Sequence, residues 1–197
     1  GGENTFIGGE AGDACTVGNA NVAVGVQALS SDQNGSRSTA VGTTALKVQE
    51  ASGSTSNNYY NVGVGYGAGA AITTGYYNTF VGGLAGDGTD DGTNNTAVGY
   101  LALSDNAGDS NTAVGLEALK IYTGLNSTAI GKNAGNASSS GNGNIFVGKD
   151  AGLTGSPGGA ITSAGNTAVF GDENISACHI QTDWTVASDQ RDKTDFT

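Results

Sequence analysis

Short apolar runs alternate with polar, glycine-rich stretches along this chain at a fixed interval. The nonapeptides NTAVGYLAL (95–103) and NTAVGLEAL (111–119) start sixteen residues apart. Aligned on itself, the chain contains nine such copies, beginning at Asn4, Asn21, Ser38, Asn61, Asn78, Asn95, Asn111, Ser127 and Asn144. The glycine at position five of each copy falls at Gly8, Gly25, Gly42, Gly65, Gly82, Gly99, Gly115, Gly131 and Gly148, with spacings of 17, 17, 23, 17, 17, 16, 16 and 17. A period this short predicts one turn of a stacked solenoid per copy. A tenth, degraded copy (NTAVFGDEN) is read from Asn166.

Position four is always Val or Ile and position eight always Ala, from Ala11 to Ala151. Successive residues of a strand face opposite ways, so positions two (Thr, Val or Ile) and four share one face and position three (Ala, Gly or Phe) takes the other. Both faces are largely apolar. A coil of 16 or 17 residues covers only its own inside, which leaves the second face for another copy of the chain. The glycines are expected at sharp turns that need φ > 0 or close backbone approach. Asn at position one is expected to make side-chain to backbone turn bonds and an asparagine ladder from coil to coil. Nine coils stacked at strand spacing predict a rod of roughly 45 Å. Two insertions interrupt the period, within 47–60 and 153–165; in a solenoid such insertions map to surface loops.

Composition narrows the class. Thirty-five glycines, one proline, no methionine and 13% charged residues argue against a helical protein, because glycine costs about 1 kcal/mol per helix position relative to alanine. The strict recurrence of apolar positions argues against disorder. No apolar run approaches the ~18 residues of a membrane span and no signal peptide is visible. The chain opens on Gly1 rather than Met and is expected to be a fragment of something longer. The fold class that follows is all-β: a parallel β-roll or β-solenoid of about nine to ten coils, with residues 1–171 as the repetitive shaft. Residues 172–187 read as a β-structured neck or cap, in which HIQTDWTV alternates and Trp184 is the buried anchor.

The unit N-T-A-V-G-x-x-A-L resembles the repeats of trimeric fibrous adhesins. It is similar to the left-handed β-roll heads of trimeric autotransporter adhesins, and closer still to NTAVG-x-x-AL arrays in bacteriophage tail-fibre proteins. The resemblance implies three parallel chains packed about a threefold axis, and adhesion rather than turnover. The end of the chain, ACHIQTDWTVASDQRDKTDFT, looks like the junction that precedes the intramolecular chaperone of endosialidase-type phage tailspikes and fibres. That likeness implies a self-cleavage point between Ser188 and Asp189, with Ser188 as nucleophile and Lys193 as its partner, in a truncated segment 188–197. Arg191 fits the charged pattern, whereas Asp192 stands where a hydrophobic residue is common. A lysine can activate a serine when desolvation or a nearby cation lowers its pKa; the plainer reading of SDQRDKTD is a solvated polar tail.

Other candidates weigh less. GVGYGAG (63–69) contains a dinucleotide-like glycine pattern, but no helix is predicted after it. Asp87, Asp90 and Asp91 share one loop and miss the calcium-loop spacing, which favours a solvated acidic loop. Tyr59, Tyr60, Tyr76 and Tyr77 recur in register one coil apart and form a candidate receptor-binding patch for sugar rings, with cross-coil packing as the plainer account. His179 has no obvious metal partners. Cys15 and Cys178 lie too far apart along the rod to pair within one chain, and two free thiols suit assembly in a reducing cytoplasm. A net charge of −11 per chain disfavours nucleic acid and anionic membranes as partners.

The function expected from sequence is therefore a structural and adhesive component of a phage tail fibre, outside the cell on the virion. Its expected partners are two further copies of itself, other virion tail proteins and a glycan or protein of the host surface. No cofactor or metal is expected, and no enzymatic activity beyond one self-cleavage. The alternatives are the head of a bacterial surface adhesin and, less favoured, a solenoid glycan depolymerase, which would need paired carboxylates in a groove. Ice binding is disfavoured because the position-two threonines share a face with the invariant Val/Ile, which is expected to be buried.

Overall fold

The computed structural model describes residues 2–50, 57–156 and 158–177. Twelve short strands appear in order: β1 (Thr5–Ile7), β2 (Val22–Val24), β3 (Gly35–Ser36), β4 (Thr39–Val41), β5 (Asn57–Asn58), β6 (Val62–Val64), β7 (Thr79–Val81), β8 (Thr96–Val98), β9 (Thr112–Val114), β10 (Thr128–Ile130), β11 (Ile145–Val147) and β12 (Ala168–Phe170). Ten of them form one parallel sheet in the order β1-β2-β4-β6-β7-β8-β9-β10-β11-β12, while β3 pairs with β5 on another side of the coil. Among the described residues there is no helix, and the chain is a parallel β-solenoid. No described helix is long and apolar enough to cross a membrane.

Register follows the repeat. Position two pairs with position two at each step from Thr5↔Val22 to Thr128↔Ile145. The last step departs from the sequence reading, because Ile145 pairs with Ala168 and Phe146 with Val169. The final unit thus starts at Thr167, one residue later than Asn166. Position five explains the shift: this place has φ between 113° and 136° in the nine full units, all glycine, and an Asn166 start would put Phe170 there. With the later start, Gly171 takes the turn and Val169 points inward, 3% exposed.

The interior is built from position three, position eight and position nine. Ala23, Ala40, Phe80, Ala97, Ala113, Ala129 and Phe146 are fully buried, as are Ala28, Ala45, Ala68, Ala85, Ala102, Ala118, Ala134 and Ala151. Alanine lets the two walls approach closely, and Leu29, Leu46, Leu103 and Leu119 fill the remaining width. Glycine is not the only residue at the corners. The residue before each unit and the residue at position seven sit in the left-handed region whatever their type, including Arg37, Tyr60, Tyr77, Glu117 and Asn133 at φ 51° to 64°. The four interior leucines at position nine do the same at φ 48° to 54°. Left-handed backbone costs roughly 1–2 kcal/mol for such residues. It is offset by cross-coil bonds that the same geometry creates, such as Leu29 N–H to Ala45 O at 3.0 Å and Tyr77 N–H to Tyr59 O at 2.7 Å.

The asparagine row at position one is a ladder between side chain and backbone. Asn21 N–H donates to Asn4 Oδ1, Asn78 N–H to Asn61 Oδ1, Asn95 N–H to Asn78 Oδ1 and Asn111 N–H to Asn95 Oδ1, all at 2.8–2.9 Å. The Nδ2 of Asn4, Asn21, Asn61, Asn78 and Asn111 donates to a carbonyl across the coil, as Asn78 Nδ2 does to Gly92 O at 2.8 Å, whereas Asn95 Nδ2 is buried without a partner. Two units carry serine instead, and a buried side chain from position twelve reaches into each gap. Tyr122 OH lies 2.5 Å from Ser127 Oγ and donates to Gly141 O, while Ser127 Oγ accepts from Asn144 N–H at 2.9 Å. At Ser38, Gln49 contacts Ser38 Oγ, accepts from Asn61 Nδ2 at 2.8 Å and donates to Asp32 Oδ2 at 2.6 Å.

Candidate functional site

Two surfaces stand out on this scaffold. The first is the outward face of the long sheet. Positions two and four point away from the interior, and the position-four row runs its whole length: Ile7, Val24, Val41, Val64, Val81, Val98, Val114, Ile130, Val147 and, in the last unit, Phe170. Ile7 is 60% exposed, Ile130 46% and Phe170 53%. The chain does not itself bury this face, so the burial expected for the position-two threonines is not supplied within one copy. Val26, Tyr66, Tyr100 and Leu116 at position six extend the apolar character of this side.

The second surface is aromatic. Tyr60 and Tyr77 occupy the left-handed corner just before β6 and β7, one coil apart, which stacks their rings with centroids 5.5 Å apart. Arg37 holds the same corner one coil earlier, and its guanidinium lies over the Tyr60 ring at 5.6 Å. Tyr76 meets Tyr77 edge-on, at 5.1 Å and 80°. The four tyrosines therefore come together but play different parts. Tyr60, Tyr76 and Tyr77 are exposed, whereas Tyr59 is buried and donates its hydroxyl to Glu50 O at 3.3 Å. Burial, with Asp32 and Glu50 nearby, raises the Tyr59 pKa above the ordinary tyrosine value. Beside the stack is a cleft of about 290 Å³ lined by Asn58, Tyr59, Thr74, Tyr76 and Tyr77. Arg37, Asn58 and Thr74 are not singled out by the sequence reading. For Arg37 the signal is present, since it precedes Ser38 as Tyr60 precedes Asn61.

The remaining candidates fall apart or fall outside. Asp90 accepts from the Thr73 hydroxyl, and Asp87 is half-buried with Oδ1 out of solvent and without a hydrogen-bond partner. Burial first, then the charge of Asp105, pushes the Asp87 carboxyl above the usual range. No group of three or more His, Cys, Asp or Glu side chains among the described residues is placed to hold a metal. Gly63 lies in β6 and Gly65, Gly67 and Gly69 in the turn after it, with another coil rather than a helix following. Cys15 is free, and burial raises its thiol pKa. Cys178, His179, Trp184, Ser188, Asp189, Arg191 and Lys193 lie outside the described residues, as does most of the expected neck at 172–187.

Fold and surfaces together define a parallel β-solenoid repeat protein with one uncovered apolar face. No family model, no curated protein and no solved structure matches the chain.

Proposed function

We propose that the chain forms the shaft of a bacteriophage tail fibre, in which three parallel copies, each a left-handed β-roll of nine to ten coils, pack about one axis. A small β neck follows at 172–187. The observation that carries this reading is the outward Val/Ile row at position four, which recurs in each of the nine full units and is nowhere buried within one chain: Ile7, Val41, Val98 and Ile130 are exposed and the other five half-buried. Leaving apolar surface in water costs roughly 25 cal/mol per Å², so a row of this length calls for a partner. The partner must repeat at the same interval to cover it coil for coil, and an identical parallel chain does so automatically. A closed rotational arrangement then buries the row of every copy. The threefold number and the virion setting rest on the resemblance of N-T-A-V-G-x-x-A-L to adhesin and tail-fibre repeats.

On this reading the protein works by holding its shape and presenting surfaces, outside the cell, to a host glycan or protein and to other virion tail proteins. It turns over no substrate. The resemblance of residues 178–197 to a chaperone junction adds one self-cleavage between Ser188 and Asp189, with Lys193 as the base for Ser188. Sedimentation equilibrium is the test: the purified chain is expected at three times its 19.3 kDa mass and as an SDS-resistant band before boiling. A monomer overturns the fibre reading. The junction is tested on a longer chain by intact mass, where Ser188→Ala is expected to abolish the cut; cleavage that persists in the variant removes Ser188 as nucleophile.

A further inference from the structure

We infer that the cleft beside the Tyr60–Tyr77 stack binds one uncharged pyranose residue of a surface glycan, an inference that takes its biological setting from the fibre reading and its chemistry from the cleft alone. Size is the first constraint. At about 290 Å³ the space is at the lower end of small-molecule sites, enough for one sugar ring and too small for a folded peptide. The lining is the second. A pyranose has an apolar C–H face and a rim of hydroxyls. The cleft offers aromatic rings in Tyr76 and Tyr77 for the former and the amide of Asn58, the hydroxyl of Thr74 and the tyrosine hydroxyls for the latter.

The aromatic stack supplies rigidity. Tyr60 is held between Arg37 from the coil before and Tyr77 from the coil after, and Tyr77 in turn supports the perpendicular ring of Tyr76. Tyr76 remains 44% exposed, free to meet a ligand. A preorganised wall loses little conformational entropy on binding. The fold does not require tyrosine here, since the same corner holds Ala20, Asn94, Ser110 and Asn126 in other coils. Tyrosine in two consecutive coils at this corner is therefore not demanded by the turn, and it places two stacked rings beside the cleft.

Charge selects the class of sugar. The five lining residues are Asn, Thr and Tyr, Arg37 is not among them, and the chain carries −11 overall. A carboxylated sugar would enter a repulsive field without a partner inside the cleft.

The test is an array of neutral hexose and N-acetylhexosamine oligosaccharides printed beside sialylated and uronate-containing counterparts, probed with the purified full-length chain. Binding is expected on neutral members only. Tyr76→Ala and Tyr77→Ala should each weaken it at least tenfold with the sedimentation profile unchanged, while Ile121→Ala, at an exposed position far along the rod, should leave it intact. The inference is overturned if no neutral glycan binds, if only anionic glycans bind, or if Tyr76→Ala binds like the parent. A chain that sediments as a monomer but still binds neutral glycans through Tyr76 would sink the fibre reading and leave this one standing.

Discussion

Phe80 and Gly86 occupy one site in the interior: a Cβ built on Gly86 would lie 2.5 Å from the Phe80 ring. Gly69, in the preceding coil, meets the same ring at 2.7 Å. The relation is general along the rod. Phe6 faces Gly12 and Phe146 faces both Gly135 and Gly152, whereas leucine stands at position nine in the units where neither its own coil nor the next has Phe at position three. One phenylalanine thus takes the volume of leucines in two adjacent coils, keeping interior density constant along the axis.

This predicts compensation. Phe80→Ala should destabilise by roughly 3–5 kcal/mol, as large-to-small core changes do. Gly86→Leu alone should also destabilise, through overpacking. Adding Gly69→Leu and Gly86→Leu to Phe80→Ala should recover much of the loss, because leucine is already tolerated at this left-handed corner in Leu103. Thermal and urea denaturation of the series measures it; strictly additive losses would show that the residues do not share a site.

Position-five glycines should be irreplaceable. A Cβ on Gly99 would fall 2.5 Å from Gly115 O at φ 135°, a backbone region that side chains other than hydrogen rarely enter. Gly99→Ala is expected to cost more than about 3 kcal/mol or to prevent folding. Gly9, whose added Cβ meets nothing within 4 Å, should accept alanine with a change under about 0.5 kcal/mol. Circular dichroism melts of the two variants separate these outcomes.

Tyr122 should be needed for its hydroxyl and not only for its ring. Tyr122→Phe leaves the half-buried Gly141 carbonyl without this donor and breaks the buried link to Ser127, a loss of roughly 1–3 kcal/mol. Tyr100→Phe, at an exposed tyrosine, should be near neutral. Equal melting temperatures for the two variants would mean the ladder gap at Ser127 needs no filling.

Asp87 should make stability depend on pH in a direction opposite to a paired carboxylate. Its folded-state pKa lies above the unfolded value, chiefly through desolvation. The folded chain therefore binds that proton more tightly, and ionisation opposes folding once pH rises above the unfolded pKa. Asp87→Asn should raise the melting temperature at pH 7, with the advantage fading as pH falls through the folded pKa and into the acid range. A variant whose gain persists unchanged at pH 3 would point to a cause other than ionisation.

The sequence alone determined the repeat and, up to the last unit, the strands of the long sheet and their register, because a coil-to-coil match needs only the same residue types at the same interval. Strand alternation also separates Thr96 and Val98 from Ala97, but that the alanine side turns inward was decided by the tertiary structure. The register of the four tyrosines was legible on the same grounds. Only the tertiary structure decided what depends on contacts between coils. Tyr59 turns into the wall while Tyr60 stacks outward, and Arg37 joins the stack because the corners just before successive units superpose. Gln49 and Tyr122 reach into the ladder gaps left by Ser38 and Ser127, and the last unit slips to Thr167 so that glycine rather than Phe170 takes the turn. In each case the deciding quantity is space or a hydrogen-bond vacancy shared by residues distant along the chain, which a one-dimensional pattern does not express until the coils are stacked.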